Sequence, residues 1–271
     1  MKICIPSKDR AHSIITPFLF DPKDVLIFVE PQEVKRYQIF LPDYKIIDIK
    51  KSNQGISYVR NFILDFVNDD KIIMADDDID SIGIRNDAYR YDSTNDLSEC
   101  LNDIEVGLDT YWCYVLTYSP YSYFINKACN NSMRFQINTK HAGIFFGIKL
   151  KEIKKYNIKF DSTLDIDDID FSMQVFINGG CICSDLKYAI SAQHISSGGL
   201  ESIRKLDGLS LDKTSRRAIL QLSKKYGPEF VKFTHDTDGY AHSCSINVDM
   251  LLKRKEIAKK SMQQYYQENG K

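Results

Sequence analysis

Three carboxylates stand side by side at Asp76-Asp77-Asp78, directly after the apolar run Ile72-Ile73-Met74-Ala75. Adjacent carboxylates repel, and crowding raises their pKa values unless a cation sits among them. Hard oxygen donors of this kind suit Mg²⁺ or Mn²⁺, commonly together with ligand phosphates. The competing reading is an acidic surface turn, although a turn needs no three successive acids at the end of a buried strand. A second acidic group, Asp165-Ile166-Asp167-Asp168-Ile169-Asp170, falls where a helix is expected to begin. The helix dipole favours negative charge there. Asp167 and Asp168 therefore read either as helix caps or as a general base with a grip on a substrate hydroxyl.

Two further motifs carry chemistry. Gly55 opens a helical stretch in which Arg60 lies one turn in. Glycine allows close backbone approach, and the guanidinium can pair with a nucleotide or with the carboxylates; a plain surface arginine is the alternative. His194 precedes Ser196-Ser197-Gly198-Gly199. An imidazole is a good further ligand for a divalent metal held by carboxylates, and the glycines would let backbone fold against a diphosphate. A structural histidine is the alternative.

The elements that position these residues follow from hydrophobic periodicity. Residues 2–5, 25–29, 45–49 and 71–75 are short, apolar and rich in β-branched side chains, as buried strands are. Residues 31–40 read as a short helix, with Pro31 tolerated in its first turn. Ser57 to Val67 carries Val59, Phe62, Ile63 and Phe66 on one helical face. This alternation predicts parallel strands flanked by helices. Ligands on such sheets bind at the carboxyl ends of the strands, which is where Pro6-Ser7-Lys8, Glu30 and Asp76–Asp78 fall. Downstream, strands are expected at 112–117, 143–148 and 186–192. Helices are expected at 167–178, from Asp212 to Gly227, and at 248–267. The expected organisation is a domain over residues 1–204 with a basic helical extension over 205–271 packed on it.

The chain has 271 residues, 43% hydrophobic and 27% charged, as a globular protein does. Apolar runs such as 25–29 and 142–148 are far shorter than the roughly 20 residues that span a bilayer. No signal-peptide pattern opens the sequence. The seven cysteines lack zinc-like spacing and read as reduced thiols. A cytoplasmic location is expected. The net charge of −1 hides an asymmetry: residues 65–110 hold fourteen acids and three bases, whereas residues 212–271 hold twelve bases and seven acids. Such a split suits a cation site in one region and an anion-facing surface in the other, or two solvated faces.

The order of these motifs resembles the metal-dependent glycosyltransferases of the GT-A fold, over roughly residues 1–200. That family has a strand ending in a Pro-Ser/Thr turn (here Ile5-Pro6-Ser7), then a Gly-x-x-x-x-Arg-Asn helix (Gly55 to Asn61). An Asp-x-Asp after a strand (Asp76-Asp77-Asp78), an acid pair (Asp167-Asp168) and a late histidine (His194) follow. The resemblance implies an α/β fold with a Rossmann-like mixed sheet, a UDP-sugar donor and Mn²⁺ or Mg²⁺. Asp76 would reach the nucleoside and the metal, and Asp78 would bind the metal with the diphosphate, Asp77 being the alternative for either. His194 would complete the metal shell. Pro6, Ser7, Lys8, Arg10, Glu30, Gly55 and Arg60 would line the nucleotide pocket, with Ser197 and Gly198 against the diphosphate. Asp168 would be the base of an inverting reaction and Asp167 the grip on the acceptor. The family's usual Glu-Asp pair is Asp-Asp here, one methylene shorter, which leaves the exact base open.

The chain also resembles phage-encoded DNA-modifying glycosyltransferases, including the TET-associated group. That implies double-stranded DNA bearing 5-hydroxymethylcytosine as acceptor. Arg216, Arg217, Lys224 and Lys225, with Lys253, Arg254 and Lys255, would then face phosphates. Aromatic residues around 111–135, with Arg134 and His141, would frame a flipped base; core packing is the alternative for the aromatics. A glycan, lipid or protein acceptor, and a metal-dependent nucleotide-binding module without transferase activity, are the competing functions.

Overall fold

The computed structural model describes residues 1–85, 91–118, 134–138, 142–161, 166–193, 220–227, 231–235 and 241–246. Ten strands form one sheet: β1 (Lys2–Pro6), β2 (Val25–Val29), β3 (Lys45–Asp48), β4 (Lys71–Ala75), β5 (Ile79–Arg85), β6 (Tyr91–Ser93), β7 (Cys113–Tyr118), β8 (Phe135–Ile137), β9 (Phe145–Lys149) and β10 (Ile182–Ala192). Their order is β3-β2-β1-β4-β9-β7-β10-β5-β6, with β8 paired to β10. The first four run parallel, as the sequence predicts. β9 enters antiparallel between β4 and β7, so β7 runs with β4, and β10 runs parallel to β7. The sheet is therefore mixed. The carboxyl ends of β1, β2, β4, β7 and β10 share one edge.

Alternation along the central strands makes two cores. Ile3, Ile5, Ile27, Val29, Ile73 and Ala75 face one side, which α1 (Val34–Phe40) and α3 (Ser98–Thr110) cover. Cys4, Leu26, Phe28, Ile72 and Met74 face the other, covered by α2 (Ile56–Phe66), α4 (Leu150–Lys155) and α5 (Asp167–Ile177). Strands buried on both faces read as continuous apolar runs, which is why β1, β2 and β4 stand out in the sequence. α3 approaches β9 so closely that a Cβ on Gly147 would lie 2.6 Å from Ile104.

Several elements go beyond what the sequence predicts. β5, β6, β8, α3 and α4 are additional, and β10 starts at Ile182 rather than at residue 186. Residues 220–226 form a helix, α6, as expected ahead of Gly227. The region predicted to be a helical extension also holds an antiparallel ribbon, β11 (Val231–His235) with β12 (Ala241–Ile246). The helix expected at 248–267 lies outside the described residues. Cys4, Cys100, Cys113, Cys181 and Cys183 are free thiols. Among the described residues no helix is long and apolar enough to cross a membrane.

Candidate active site

The acid triplet forms the turn between β4 and β5 at the shared strand edge. Thr16 braces it: its Oγ1 donates to the Asp76 carbonyl at 2.7 Å and accepts from the Ile79 N–H at 2.8 Å. The Asp76 N–H donates to the Ile144 carbonyl at 2.8 Å, and the Gln193 N–H donates to the Asp78 carbonyl at 2.9 Å. The end of β10 is thereby tied to the triplet.

The three carboxylates have different surroundings. Asp77 is buried and already partnered: the Ser7 hydroxyl donates to its Oδ2 and Arg10 Nη1 to its Oδ1, each at 2.5 Å. Burial pushes its pKa up against those donors. The Asp78 and Asp76 side chains remain 15% and 31% exposed, with Arg10 3.5 Å from Asp78 and Arg60 3.4 Å from Asp76. Burial pushes the Asp76 carboxyl up to about 7, with Arg60 pulling the other way and the neighbouring acids adding to the rise. Asp76 and Asp78 thus offer carboxylate oxygens on one turn, a donor set suited to a hard divalent cation. Asp77, read from the sequence as exchangeable with them, instead holds Ser7 and Arg10 in place. Among the described residues no group of three metal-ligating side chains is clustered. His194, the expected additional ligand, lies outside the described residues.

The β1 and β2 ends supply the neighbouring wall. Ser7 Oγ is 2.7 Å from the Tyr37 hydroxyl, which accepts the Arg10 N–H at 3.1 Å. Glu30 is a hub: Lys8 Nζ donates to Oε1 at 2.8 Å, the Asn53 N–H to the same oxygen at 2.7 Å, and Gln32 to Oε2 at 2.6 Å. Burial opposes its charge, yet these donors hold the Glu30 pKa below the ordinary value. Asn53 and Gly55 both take positive φ, 56° and 81°, as the loop turns into α2. Glycine supplies that conformation at no steric cost.

The third wall joins α2 to α5. Arg60 is 7% exposed. Its Nη1 donates to Asp167 Oδ1 at 2.9 Å and its Nη2 to Asp76 Oδ1 at 3.4 Å. One guanidinium so bridges the strand-end acid and the helix-start acid. Ser57 adds a 3.1 Å contact to the other Asp167 oxygen. Asn61 clamps Phe160 through both backbone groups at 2.8 Å, fixing the approach to α5. Burial raises the Asp167 pKa, with Arg60 opposing. Asp168 stands beside it, half-buried, with one oxygen accepting the Ile169 N–H at 2.8 Å. Arg60 Nε is a buried donor without a partner among the described residues, an atom that a bound ligand could satisfy.

The structure thus brings together Pro6, Ser7, Lys8, Arg10, Glu30, Gly55, Arg60, Asp76, Asp77, Asp78, Asp167 and Asp168. Thr16, Tyr37, Asn53 and Ser57 join them without any distinguishing sequence signal. Two residues predicted for the acceptor are occupied elsewhere. The Arg134 guanidinium donates to the fully buried Asp185 at 2.8 Å and also to Asp103, and it stacks on Phe135. A buried carboxylate needs that partner, so Arg134 serves the core around β10. Lys224 and Lys225 are both exposed, but Lys225 pairs with Asp170 at 2.7 Å and Asp161 at 3.2 Å. His141, Ser197, Gly198, Arg216 and Arg217 lie outside the described residues, as do Lys253, Arg254 and Lys255.

Solved structures share this architecture. Staphylococcus aureus TarS 1-349 in complex with UDP-GlcNAc aligns with a TM-score of 0.51 at 14% identity, covering 83% of this chain and 66% of that one. In the TarS 1-349 complex with UDP the chain covers 59% of its counterpart; it thus spans about two thirds or less of these neighbours. Glucosyl-3-phosphoglycerate synthase from Mycobacterium tuberculosis in complex with Mg²⁺ and UDP aligns with a TM-score of 0.52 at 11% identity, covering 90% of this chain and 86% of that one. Identities this low speak for the GT-A fold alone. No curated protein is similar enough in sequence to count as a relative. The family match is independent of these alignments and extends over residues 1–199, the stretch that contains every wall described above. On that match, the chain belongs to the TET-associated glycosyltransferase family.

Proposed function

We propose that the chain transfers a sugar from a UDP-sugar to a hydroxyl of 5-hydroxymethylcytosine in double-stranded DNA. The Arg60 bridge carries this reading, because it holds a strand-end acid and a helix-start acid on one guanidinium. Nucleotide and acceptor groups would then meet within one side chain's reach. UDP-GlcNAc accompanies one solved neighbour and UDP another, and the wall of Ser7, Lys8, Arg10 and Glu30 would take the UDP moiety. Asp76 and Asp78, with His194, would hold Mn²⁺ or Mg²⁺, which when bound supplies positive charge to the departing diphosphate. Asp168 would take the proton of the attacking hydroxyl. Asp167, already paired with Arg60 and Ser57, would hold the geometry and grip the acceptor.

The DNA acceptor rests on the family and on the surplus of basic residues after residue 212. Arg216, Arg217 and Lys224 would grip phosphates; binding of that kind weakens steeply with salt. The test is direct. Incubate the full chain and Mn²⁺ with a panel of sugar nucleotides and hydroxymethylated duplex DNA, digest the DNA, and weigh the nucleosides. A hexose or pentose added to 5-hydroxymethyl-2′-deoxycytidine supports the reading. Nucleotide release that leaves all DNA unmodified shifts the acceptor to a glycan, lipid or protein. Binding without any release reduces the protein to a nucleotide-binding module.

A further inference from the structure

One buried carboxylate fastens α6 to the start of α5. Asp170 is fully buried, three residues after Asp167 in the first turn of that helix. Its Oδ2 accepts from Gln174 at 2.7 Å. Its Oδ1 accepts from the Lys225 ammonium at 2.7 Å and the Tyr226 hydroxyl at 2.6 Å. Lys225 also reaches Asp161 Oδ2 at 3.2 Å. The Asp161 carbonyl lies 3.0 Å from the Ser57 hydroxyl, which in turn lies 3.1 Å from Asp167. Leu222 of α6 is fully buried.

The Lys225 side chain is 40% exposed, but its ammonium and the Tyr226 phenol both end on the buried acid. Burial works against the charge on Lys225, yet its bond to Asp170 keeps it protonated above its ordinary range. Without Lys225, Asp170 would stay buried with only neutral donors. A buried charge that loses its partner forces local structure to open toward water. The element that would open is the turn carrying Asp167 and Asp168.

We infer that α6 is a positioning element: Lys225 and Tyr226, acting through Asp170 and Asp161, fix the first turn of α5 and thereby the aim of Asp167 and Asp168. Only the purpose of that aim rests on the transferase reading; the mechanical link does not.

The test is hydrogen–deuterium exchange by mass spectrometry on the full chain and three variants, Lys225→Met, Tyr226→Phe and Lys225→Arg. Exchange is compared over residues 166–172 and over β1–β4. Exchange at 166–172 should rise about tenfold in Lys225→Met and by a smaller factor in Tyr226→Phe, with β1–β4 unchanged. Lys225→Arg, which keeps the charge, should restore most of the protection. Unchanged exchange at 166–172 in both Lys225→Met and Tyr226→Phe overturns the inference. So does an equal rise over β1–β4, because α6 would then be a global stabiliser. No substrate is needed, so failure here leaves the transferase reading standing, and a wild-type chain without UDP-sugar turnover leaves the link between α6 and α5 standing.

Discussion

The backbone N–H of Gln193 donates to the carbonyl oxygen of Asp78 at 2.9 Å. The two residues are far apart in sequence, and the register of β10 on β5, Ala192 opposite Ile79, brings them together. His194 is the next residue along the chain. If it ligates the same cation as Asp78, His194→Ala should weaken Mn²⁺ binding by at least about tenfold. Isothermal titration with Mn²⁺ and UDP measures this. Equal affinity in the variant removes His194 from the metal site.

Among the described residues, the buried Asp167 forms its ion pair with Arg60, at 2.9 Å. Removing one partner of a buried pair leaves an uncompensated charge, at a cost of roughly 3–5 kcal/mol. Arg60→Met should therefore lower Tm by at least about 6 °C in a chain of this size. The double variant Arg60→Met/Asp167→Asn should recover part of that loss. A Tm within about 1 °C of wild type in the single variant would show that the bridge does not hold α2 to α5.

Glu33 gives a pH signature. It is 6% exposed, its Oε1 accepts the Asp9 N–H at 2.7 Å, and its Oε2 has no partner among the described residues. Burial pushes its pKa up from 4.5 to about 7. The folded state therefore holds the proton more tightly than the unfolded state. As pH rises through 4.5 toward 7 the unfolded chain ionises first, so stability falls, and above 7 the whole penalty applies. Glu33→Gln should stabilise the protein by roughly 1–3 kcal/mol at pH 8 and by under about 0.5 kcal/mol at pH 4.5. Denaturant midpoints at the two pH values decide it; a gain that does not grow with pH contradicts the burial of a protonated Glu33.

Asp167 and Asp168 are adjacent, yet their surroundings differ. Asp167 is 3% exposed and partnered by Arg60 and Ser57; Asp168 is half-buried. Asp168→Asn should cut kcat by roughly 10²–10⁴ if it is the base of an inverting reaction, with UDP affinity and Tm little changed. Asp167→Asn should lower Tm. Reversal of the two phenotypes would exchange their roles.

Much of this site was legible in the sequence because its residues sit where strands end. β1, β2 and β4 are buried on both faces and so announce themselves as apolar runs, and Ser7, Glu30 and Asp76 follow directly from their carboxyl ends. The acid pair was legible through the helix-start pattern of α5. The bridge between them was not. Arg60 and Asp167 meet because α2 and α5 cover the same face of the sheet, and no periodicity encodes which helices share a face. Nor did spacing reveal that Asp77 is spent on Ser7 and Arg10, or that Arg134 and Lys225 neutralise buried acids. A basic residue near an expected ligand looks the same in sequence whether it faces solvent or a carboxylate. α3 left a trace in Cys100, Ile104 and Leu108 at four-residue spacing, diluted by its many polar neighbours. The β11–β12 ribbon falls in a stretch read as part of a helical extension, where its short alternation was outweighed by the surrounding basic helical pattern.

The central claim is that Asp78 belongs to a cation-dependent site acting on a nucleotide-sugar. Release of UDP from a panel of UDP-sugars, followed by coupled assay with Mn²⁺ and with chelator, tests it most directly in wild type and Asp78→Ala. The account predicts release by the wild type with Mn²⁺, loss of that release on chelation, and a fall of at least about 10² in Asp78→Ala with the fold retained. Undiminished release by Asp78→Ala with Mn²⁺ present, or release indifferent to chelator, would contradict it.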